Sequence, residues 1–517
     1  MKVLLVQPRK PVHSFGGEDL SMFEPLALEY LAGAVKDQHE VRVLDLRIED
    51  RLDEVLQEMQ PDVVGLTGYT VHVNTVNRLC EHIKAVDPRI VTVVGGHHAT
   101  VHHEDFLTPH VDLIIMGEGS IPFRQALERI VAGRGFDGVP GAVYQEGGEV
   151  VINDAVSFDM DAIPPPDRST TARYRKHYGC EWMYPIASVR TSKGCPFNCS
   201  YCALWTLTSR RYHVRSPEAI VEELKQIEEP CVFFADDESF IQIDRMMELA
   251  RQIEAAGIQK RYHLYVRADT VVRNPEVIER WKAIGLERCF VGVEFFRDED
   301  LESVSKGSSA DKNLEAIRII RELGVNLIPG FIVRQDFEEQ DFRDLSQFCR
   351  DQRFDYSAFA VLTPLPGTRL HMELADQMFL RNYDYYDFMH TLLPTKLPIE
   401  EFYRQYLWLF DSTHPLGTQL KMLSKFPLTR LPYVFKTYAR FRRAFKRIPR
   451  DYDNLEALNA AQERHGGMPS RKPLLQLRVE RDGAAPRGGP GPTGWAREPE
   501  PRKLAVSRGA GRQDATN

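Results

Sequence analysis

The chain has 517 residues, 43% hydrophobic and 27% charged, enough to bury more than one core, so two or three domains are expected. Its net charge of -8 excludes a polycation that wraps nucleic acid, and no nucleic-acid partner is expected. The opening MKVLLVQPRKP has too short an apolar run for a signal-peptide core and no stretch of about 18 uninterrupted apolar residues occurs, which predicts a cytoplasmic protein without a membrane span.

From residue 1 to 135, the short runs KVLLVQP, VRVLDL, VVGLTGY, IVTVVGG and DLIIMGEG alternate with helical patterns such as EPLALEYLAGAVK and NTVNRLCEHIKAV. Five strand-like runs separated by helices predict an α/β domain with a doubly wound parallel sheet. Thr67, Gly95, Gly96, His97, Gly117, Glu118 and Gly119 follow those strands. They fall at the carboxyl edge, where open parallel sheets bind ligands. Residues 136–184, with DAIPPPDRS and little periodicity, read as a linker. From Tyr184 a second series begins: IASVRTSKG, CVFFADD, RYHLYVRAD, RCFVGVEFF, NLIPGFIV and YSAFAVLTPLPG. Six strand and helix repeats predict a partial (β/α)6 barrel over 185–375. Residues 376–465 are helical and basic, and 466–517, rich in glycine, proline, arginine and serine, are expected to be disordered.

Eight cysteines are too few and too unevenly placed for a secreted disulfide framework. Three of them, Cys195, Cys199 and Cys202, stand at C-x3-C-x2-C spacing in GCPFNCSYC. A short loop lets three thiolates converge on one iron-sulfur cubane and leaves its fourth iron open. A closed zinc site is the alternative; it needs a fourth ligand, for which Cys180 and His213 are candidates. Cys80, Cys231, Cys289 and Cys349 lie in apolar contexts and read as buried thiols.

This loop, with Tyr201 before its last cysteine, is followed by FFADDESF, VRAD, VGVEFF, LESVSKGSS, PGFIV and TPLPGTRL. The series resembles the radical S-adenosylmethionine superfamily. The resemblance implies a [4Fe-4S] cluster on Cys195, Cys199 and Cys202 whose open iron chelates S-adenosyl-L-methionine, and reductive cleavage to a 5'-deoxyadenosyl radical. It also implies cosubstrate contacts at Asp236 and Asp237, with Arg267 and Glu294 at later strand ends. The plain alternative is that these acids cap helices or pair with Arg267.

VVGGHHAT and MGEG in the N-terminal region resemble the B12-binding domain that precedes the radical domain in cobalamin-dependent members. An Asp-x-His-x-x-Gly motif is missing, and Asp37 to Arg42, DQHEVR, comes near it but ends in arginine. The resemblance therefore implies cobalamin, used as methylcobalamin, held without a histidine ligand; His72, His97 and His98 are wall candidates, the default being loop histidines with ordinary hydrogen-bond partners. The whole is similar to the cobalamin-dependent radical S-adenosylmethionine methyltransferase family, and KVLLVQPRKP, GLTGYTVHVNTV and ADDESF resemble its hopanoid-methylating members. This implies C-3 methylation of an unactivated carbon in a hopanoid-like polycyclic lipid, with flavodoxin or ferredoxin as electron donor. Alternatives are a methylase or cyclase acting on a soluble natural-product or tetrapyrrole precursor, and a noncatalytic corrinoid or redox sensor. Methylthiotransferases of tRNA carry further cluster cysteines in the N-terminal domain, whereas residues 1–150 here hold only Cys80.

Between Ser412 and Arg450 there are ten lysines and arginines and no acid. In YVFKTYARFRRAFKRI the spacing predicts a helix with Phe435, Tyr438, Phe441 and Phe445 near one face and Arg440, Arg443 and Arg447 on the other. Peripheral contact with the inner membrane face is one expectation, and packing on the barrel's own surface is the other.

Overall fold

The computed structural model describes residues 1–14, 21–465 and 502–504. In its first sheet Lys2–Gln7 runs between Glu40–Asp45 and Val63–Thr67, and Val91–Gly95 and Leu113–Ile115 follow outward, all parallel. This is the doubly wound arrangement expected, with the order reversing beside Lys2–Gln7. Period-two alternation explains its two covered faces. Val3 and Leu5 face Leu28, Ala32, Phe123 and Leu127, whereas Leu4 and Val6 face Val55, Val73 and Val76.

The stretch 136–184, expected as a linker, adds a hairpin to this sheet. Ala142–Glu146 pairs antiparallel with Leu113–Ile115 and with Glu149–Ile152. Both strands are too short to display a period, and the turn between them is made by Gly147 and Gly148 at φ of 61° and 86°. Arg502–Leu504 pairs antiparallel with Glu149–Ile152. The remainder of 466–517, expected to be disordered, lies outside the described residues.

The second sheet has six strands in sequential order, all parallel: Ile186–Val189, Cys231–Phe234, Arg261–Arg267, Leu286–Glu294, Asn326–Val333 and Ala358–Val361. It is the expected partial barrel. Strands covered on both faces read as continuous apolar runs, as in the fully buried CVFF. The flanking helices show the complementary stripe; Met246, Leu249, Ala250 and Ile253 are the buried positions of Ile243–Ala255. Ser216 starts Pro217–Gln226 by accepting a hydrogen bond from the Ala219 N–H at 3.3 Å.

The two sheets are tied together by Arg168, which donates to Glu24 ahead of the first helix and to Glu223 on a barrel helix, each at 2.5 Å. In the basic region, helix Leu431–Asp451 buries Thr437, Phe441, Phe445 and Ile448. The rings of Phe441 and Phe445 pack on Phe410 and Tyr406 of Ile399–Thr413. The aromatic stripe expected on one face is therefore split. Phe435 is six residues before Phe441, about 120° around the helix, and stays 56% exposed; Tyr438 is 44% exposed. Among the described residues no helix is long and apolar enough to cross a membrane.

Candidate active site between the two sheets

A cavity of about 210 Å³ lies between the carboxyl edge of the first sheet and the barrel. Thr67, Gly95, Gly96, His97, Gly117, Glu118 and Gly119 all line it. Gly96 adopts φ 102° and ψ -170°, a region open essentially to glycine alone, and a Cβ there would lie 2.6 Å from Thr67 Oγ1. Thr100 joins two turns of this cradle: its Oγ1 donates to the Gly96 carbonyl at 2.9 Å and accepts from the Gly117 N–H at 3.0 Å. Backbone is thus presented to the cavity over a broad, small-residue surface, which suits a flat macrocycle or its nucleotide tail.

The histidines separate. His97 faces the cavity with its ring edge-on to Tyr69, centroids 4.8 Å apart, and the surrounding protein pushes its pKa down to about 4, so it stays neutral. His72 and His98 do not line the cavity. His72 Nδ1 accepts from the Tyr69 N–H at 3.2 Å, and His98 Nε2 meets Asp105 at 2.8 Å. His39, just ahead of Glu40–Asp45 and 3.4 Å from the Met1 amine, is at the opposite edge of the sheet.

Cys195, Cys199 and Cys202 sit in the loop that follows the first barrel strand. Burial pushes the Cys195 thiol up to about 11 and Cys202 up to about 12, so these are not free nucleophiles; a bound metal would displace their protons. A tetrahedral zinc with bonds of about 2.3 Å would hold its sulfurs about 3.8 Å apart. Among the described residues no set of three ligand atoms within 4.8 Å includes these cysteines, and Cys180 is instead buried against Ser21 Oγ at 3.1 Å. A cubane spreads three thiolates over three irons and fits the wider spacing. Arg267, expected at the cosubstrate, is turned onto this loop. Its guanidinium lies 3.7 Å from the Phe197 ring centroid, Nη1 is 3.9 Å from Cys199 Sγ, and Nη2 donates to the Lys306 carbonyl at 2.8 Å.

The two aspartates hold the same loop. Asp236 Oδ1 accepts from the Thr191 and Ser192 N–H groups at 2.7 and 2.9 Å, and Oδ2 accepts from Thr191 Oγ1 at 2.5 Å. Asp237 Oδ2 accepts from the Gly194 N–H at 2.7 Å, at the residue whose φ of 100° turns the chain into Cys195. Asp237 also lines the cavity; Asp236 does not. Burial raises both acids, Asp236 to about 6, and raises their neighbour Glu238 to about 7. Glu294, at φ 63° where its strand bulges, receives Lys306 Nζ at 2.7 Å. Burial first, then the Glu294 carboxylate, drive the Tyr201 hydroxyl well above its ordinary pKa.

Three residues to which the motifs gave no role complete the site: Arg190, Lys193 and Lys306. Arg190 and Lys193, just ahead of the cysteines, reach across the cavity to Glu118 at 3.3 and 3.6 Å. Their signal was present in SVRTSKGC, two cations beside the cluster motif, but their partner lies in the other domain.

The sequence matches the B12 binding domain over residues 16–127 and the radical SAM superfamily over residues 189–349. It is 34% identical over 410 residues to the hopanoid C-3 methylase of Methylococcus capsulatus, covering 78% of each chain. It is 28% identical over 421 residues to the anaerobic magnesium-protoporphyrin IX monomethyl ester cyclase of Cereibacter sphaeroides, covering 77% of this chain and 67% of that one. The fold is shared with the cobalamin-dependent S-adenosylmethionine radical enzyme OxsB, solved with aqua-cobalamin and S-adenosylmethionine bound, at a TM-score of 0.64 and 18% identity over 93% of this chain and 79% of that one. A glycine-built cradle, a three-cysteine barrel loop and these similarities agree: the chain belongs to the cobalamin-dependent radical S-adenosylmethionine methyltransferase family.

Proposed function

We propose that this enzyme methylates an unactivated ring carbon of a hopanoid-like polycyclic lipid, at C-3, with electrons from a flavodoxin or ferredoxin. Its cofactors are a [4Fe-4S] cluster, S-adenosyl-L-methionine and cobalamin. When bound, they supply one-electron chemistry able to take hydrogen from an inert C–H bond, and a methyl group to put in its place. The observation that carries the lipid reading is the 34% identity over 410 residues to a hopanoid C-3 methylase.

The residues divide the work. Cys195, Cys199 and Cys202 would hold the cluster, with Arg267 beside Cys199 to offset thiolate charge. Asp236 and Asp237 position the loop through its backbone N–H groups, and Glu294 with Lys306 closes the side next to Tyr201. Thr67, Gly95, Gly96, Gly117 and Gly119 would admit the corrinoid by close backbone approach, and neutral His97 forms part of the wall. Leu31, Leu204 and Leu207 line the same cavity and would help keep water from the reacting groups.

Peripheral membrane contact belongs to the same reading. Leu420, Leu428, Tyr433, Phe435 and Tyr438 are exposed together with Lys436, Arg440, Arg443, Lys446 and Arg447. Each cation near an anionic leaflet contributes on the order of 1 kcal/mol. Expressing the protein in a hopanoid-producing strain that lacks C-3 methylation, and extracting its lipids for mass spectrometry, tests the substrate. A methylated hopanoid is expected; unchanged hopanoids beside an altered tetrapyrrole would favour the second reading, which rests on the cyclase relative. Flotation with anionic liposomes at low salt tests the contact, and an unbound protein would refute it.

A further inference from the structure

Away from the cavity, a second group of ligand-type side chains is assembled under the cradle. His98, His102 and Asp105 each offer one atom, all within 4.8 Å of one another, and all three residues are buried. His98 and His102 are four residues apart and share one face of the turn that follows Gly96; Asp105 comes from the short turn His103–Phe106. One carboxylate oxygen, Asp105 Oδ2, lies 2.8 Å from His98 Nε2 and 3.0 Å from His102 Nδ1. The other ring nitrogen of His98 is oriented by Thr70 Oγ1 at 3.1 Å. Metal-binding histidines are commonly fixed through the remote nitrogen in this way.

A third imidazole arrives from the far side. His371, on the segment after the last barrel strand, is 7% exposed, and its Nε2 has no hydrogen-bond partner. It is close enough for the charges of His102, Asp105 and His98 to act on its ring. The segment is pressed against the short helix His97–Val101 that follows Gly96, since a Cβ on Gly367 would lie 2.9 Å from Val101 Cβ. A buried nitrogen left without a hydrogen-bond partner is costly, and a cation held by the His98, His102 and Asp105 group would satisfy it.

We propose that His98, His102, Asp105 and His371 bind one divalent first-row ion of the zinc type, which fastens the cobalamin cradle to the segment that closes the barrel. Three imidazoles and one carboxylate are a donor set suited to zinc, with bonds of about 2.0–2.2 Å; the 2.8 and 3.0 Å spacings of Asp105 to His98 and His102 need to open by only a few tenths of an ångström, and the His371 ring, outside that group, has to swing toward it. The ion is structural and takes no part in electron transfer. It explains why His98, next to the cavity-facing His97, is turned away from the cavity, and why two histidines, an aspartate and a histidine some 270 residues later meet in one place.

The test uses the full-length chain with Cys195, Cys199 and Cys202 replaced by alanine, so that the cluster loop cannot hold metal. Elemental analysis after dialysis is expected to find about one zinc per chain. Titration with Co²⁺ is expected to give visible ligand-field bands at one equivalent, without sulfur-to-cobalt charge transfer. Asp105→Asn and His371→Gln should each weaken zinc retention at least tenfold. Because the cysteine variant could fold poorly, wild-type protein with its iron cluster reconstituted is analysed in parallel, and one zinc in addition to the iron is expected. Zinc and cobalt binding that is absent from both proteins, or unaffected by Asp105→Asn and His371→Gln, overturns the proposal and leaves a hydrogen-bonded His–Asp–His group.

Discussion

The two walls of the cavity are built from different materials. The cradle wall offers backbone and small residues, Thr67, Gly95, Gly96, Gly117 and Gly119, beside a histidine kept neutral by its surroundings. Around the cysteine loop, the barrel side carries buried ionisable groups: Asp236 and Asp237 accept from the loop's backbone N–H groups, Arg267 donates to the Lys306 carbonyl, Lys306 pairs with Glu294, and Glu238 is buried beside them. A wall of backbone recognises shape and fails when volume is added; a wall of paired charges fails when one charge is removed at constant volume. Each wall can therefore be damaged by a substitution the other would tolerate.

The largest effect is expected at the loop. Replacing Cys195, Cys199 or Cys202 by alanine should abolish reductive cleavage of S-adenosylmethionine and lower bound iron, while cobalamin is retained. Cys349→Ala, at a buried thiol pushed up to about 12, should leave cleavage intact and cost stability only. Loss of cobalamin together with iron would break the comparison, because the walls would then fold as one. On the cradle, Gly96→Ala puts a side chain where φ is 102° and Thr67 Oγ1 is 2.6 Å away. Strain of roughly 1–3 kcal/mol should lower cobalamin retention by tenfold or more while iron content stays unchanged. Absorption of the bound corrinoid and elemental iron report the two walls separately.

Acidification should divide the walls as well. Burial lifts Asp236 to about 6 and Glu238 to about 7, whereas His97 is pushed down to about 4. From pH 8 to 5 the barrel wall takes up protons and the cradle does not. Protonated Asp236 is a weaker acceptor for the Thr191 and Ser192 N–H groups, so cleavage of S-adenosylmethionine should fall several-fold with a midpoint between about 6 and 7. Cobalamin retention should stay level over that range. This loss is not unfolding. The folded state binds these protons more tightly than the unfolded chain does, so their effect on stability favours low pH and declines as pH rises through their folded values. A parallel fall in both activities would contradict the separation.

Much of this plan was legible in the sequence because it is written in local patterns. Thr67, Gly95, Gly96 and Gly117 follow apolar runs whose ends are visible, and the cysteine spacing needs no tertiary context. The partners of Asp236 and Asp237 were not legible: a carboxylate at a strand end looks the same whether it faces a ligand or turns back onto Thr191 and Gly194. Arg267 was legible as a strand-end residue, but its contacts with Phe197 and Cys199 were not, since they depend on how the loop folds over the barrel. The hairpin Ala142–Ile152 escaped because strands of five and four residues carry too little alternation. Helical periodicity placed Phe441 and Phe445 together, but not the neighbouring helix that covers them and leaves Phe435 exposed.

Glu118 is where the two walls touch, and it gives the smallest expected effect and the sharpest reading. It is a carboxylate in the cradle wall, bonded to Ser120 Oγ at 3.0 Å and facing Arg190 and Lys193 of the barrel wall at 3.3 and 3.6 Å. Burial alone would raise its pKa, but the two cations outweigh burial and hold it below the usual carboxylate value. Glu118→Gln preserves shape and removes the charge, leaving two cations opposite a neutral amide. A partly buried bridge of this kind contributes on the order of 1 kcal/mol, so cobalamin retention should weaken roughly fivefold, and less at high salt. The bridge is fully present above the unfolded carboxylate pKa and is lost as pH falls through the depressed folded value, well below the midpoint expected for Asp236 and Glu238. A double-mutant cycle with Arg190→Gln isolates the pairwise share. If Glu118→Gln left cobalamin untouched but stopped cleavage of S-adenosylmethionine, Glu118 would belong chemically to the barrel, and the boundary between shape and charge would lie on the cradle side of the cavity.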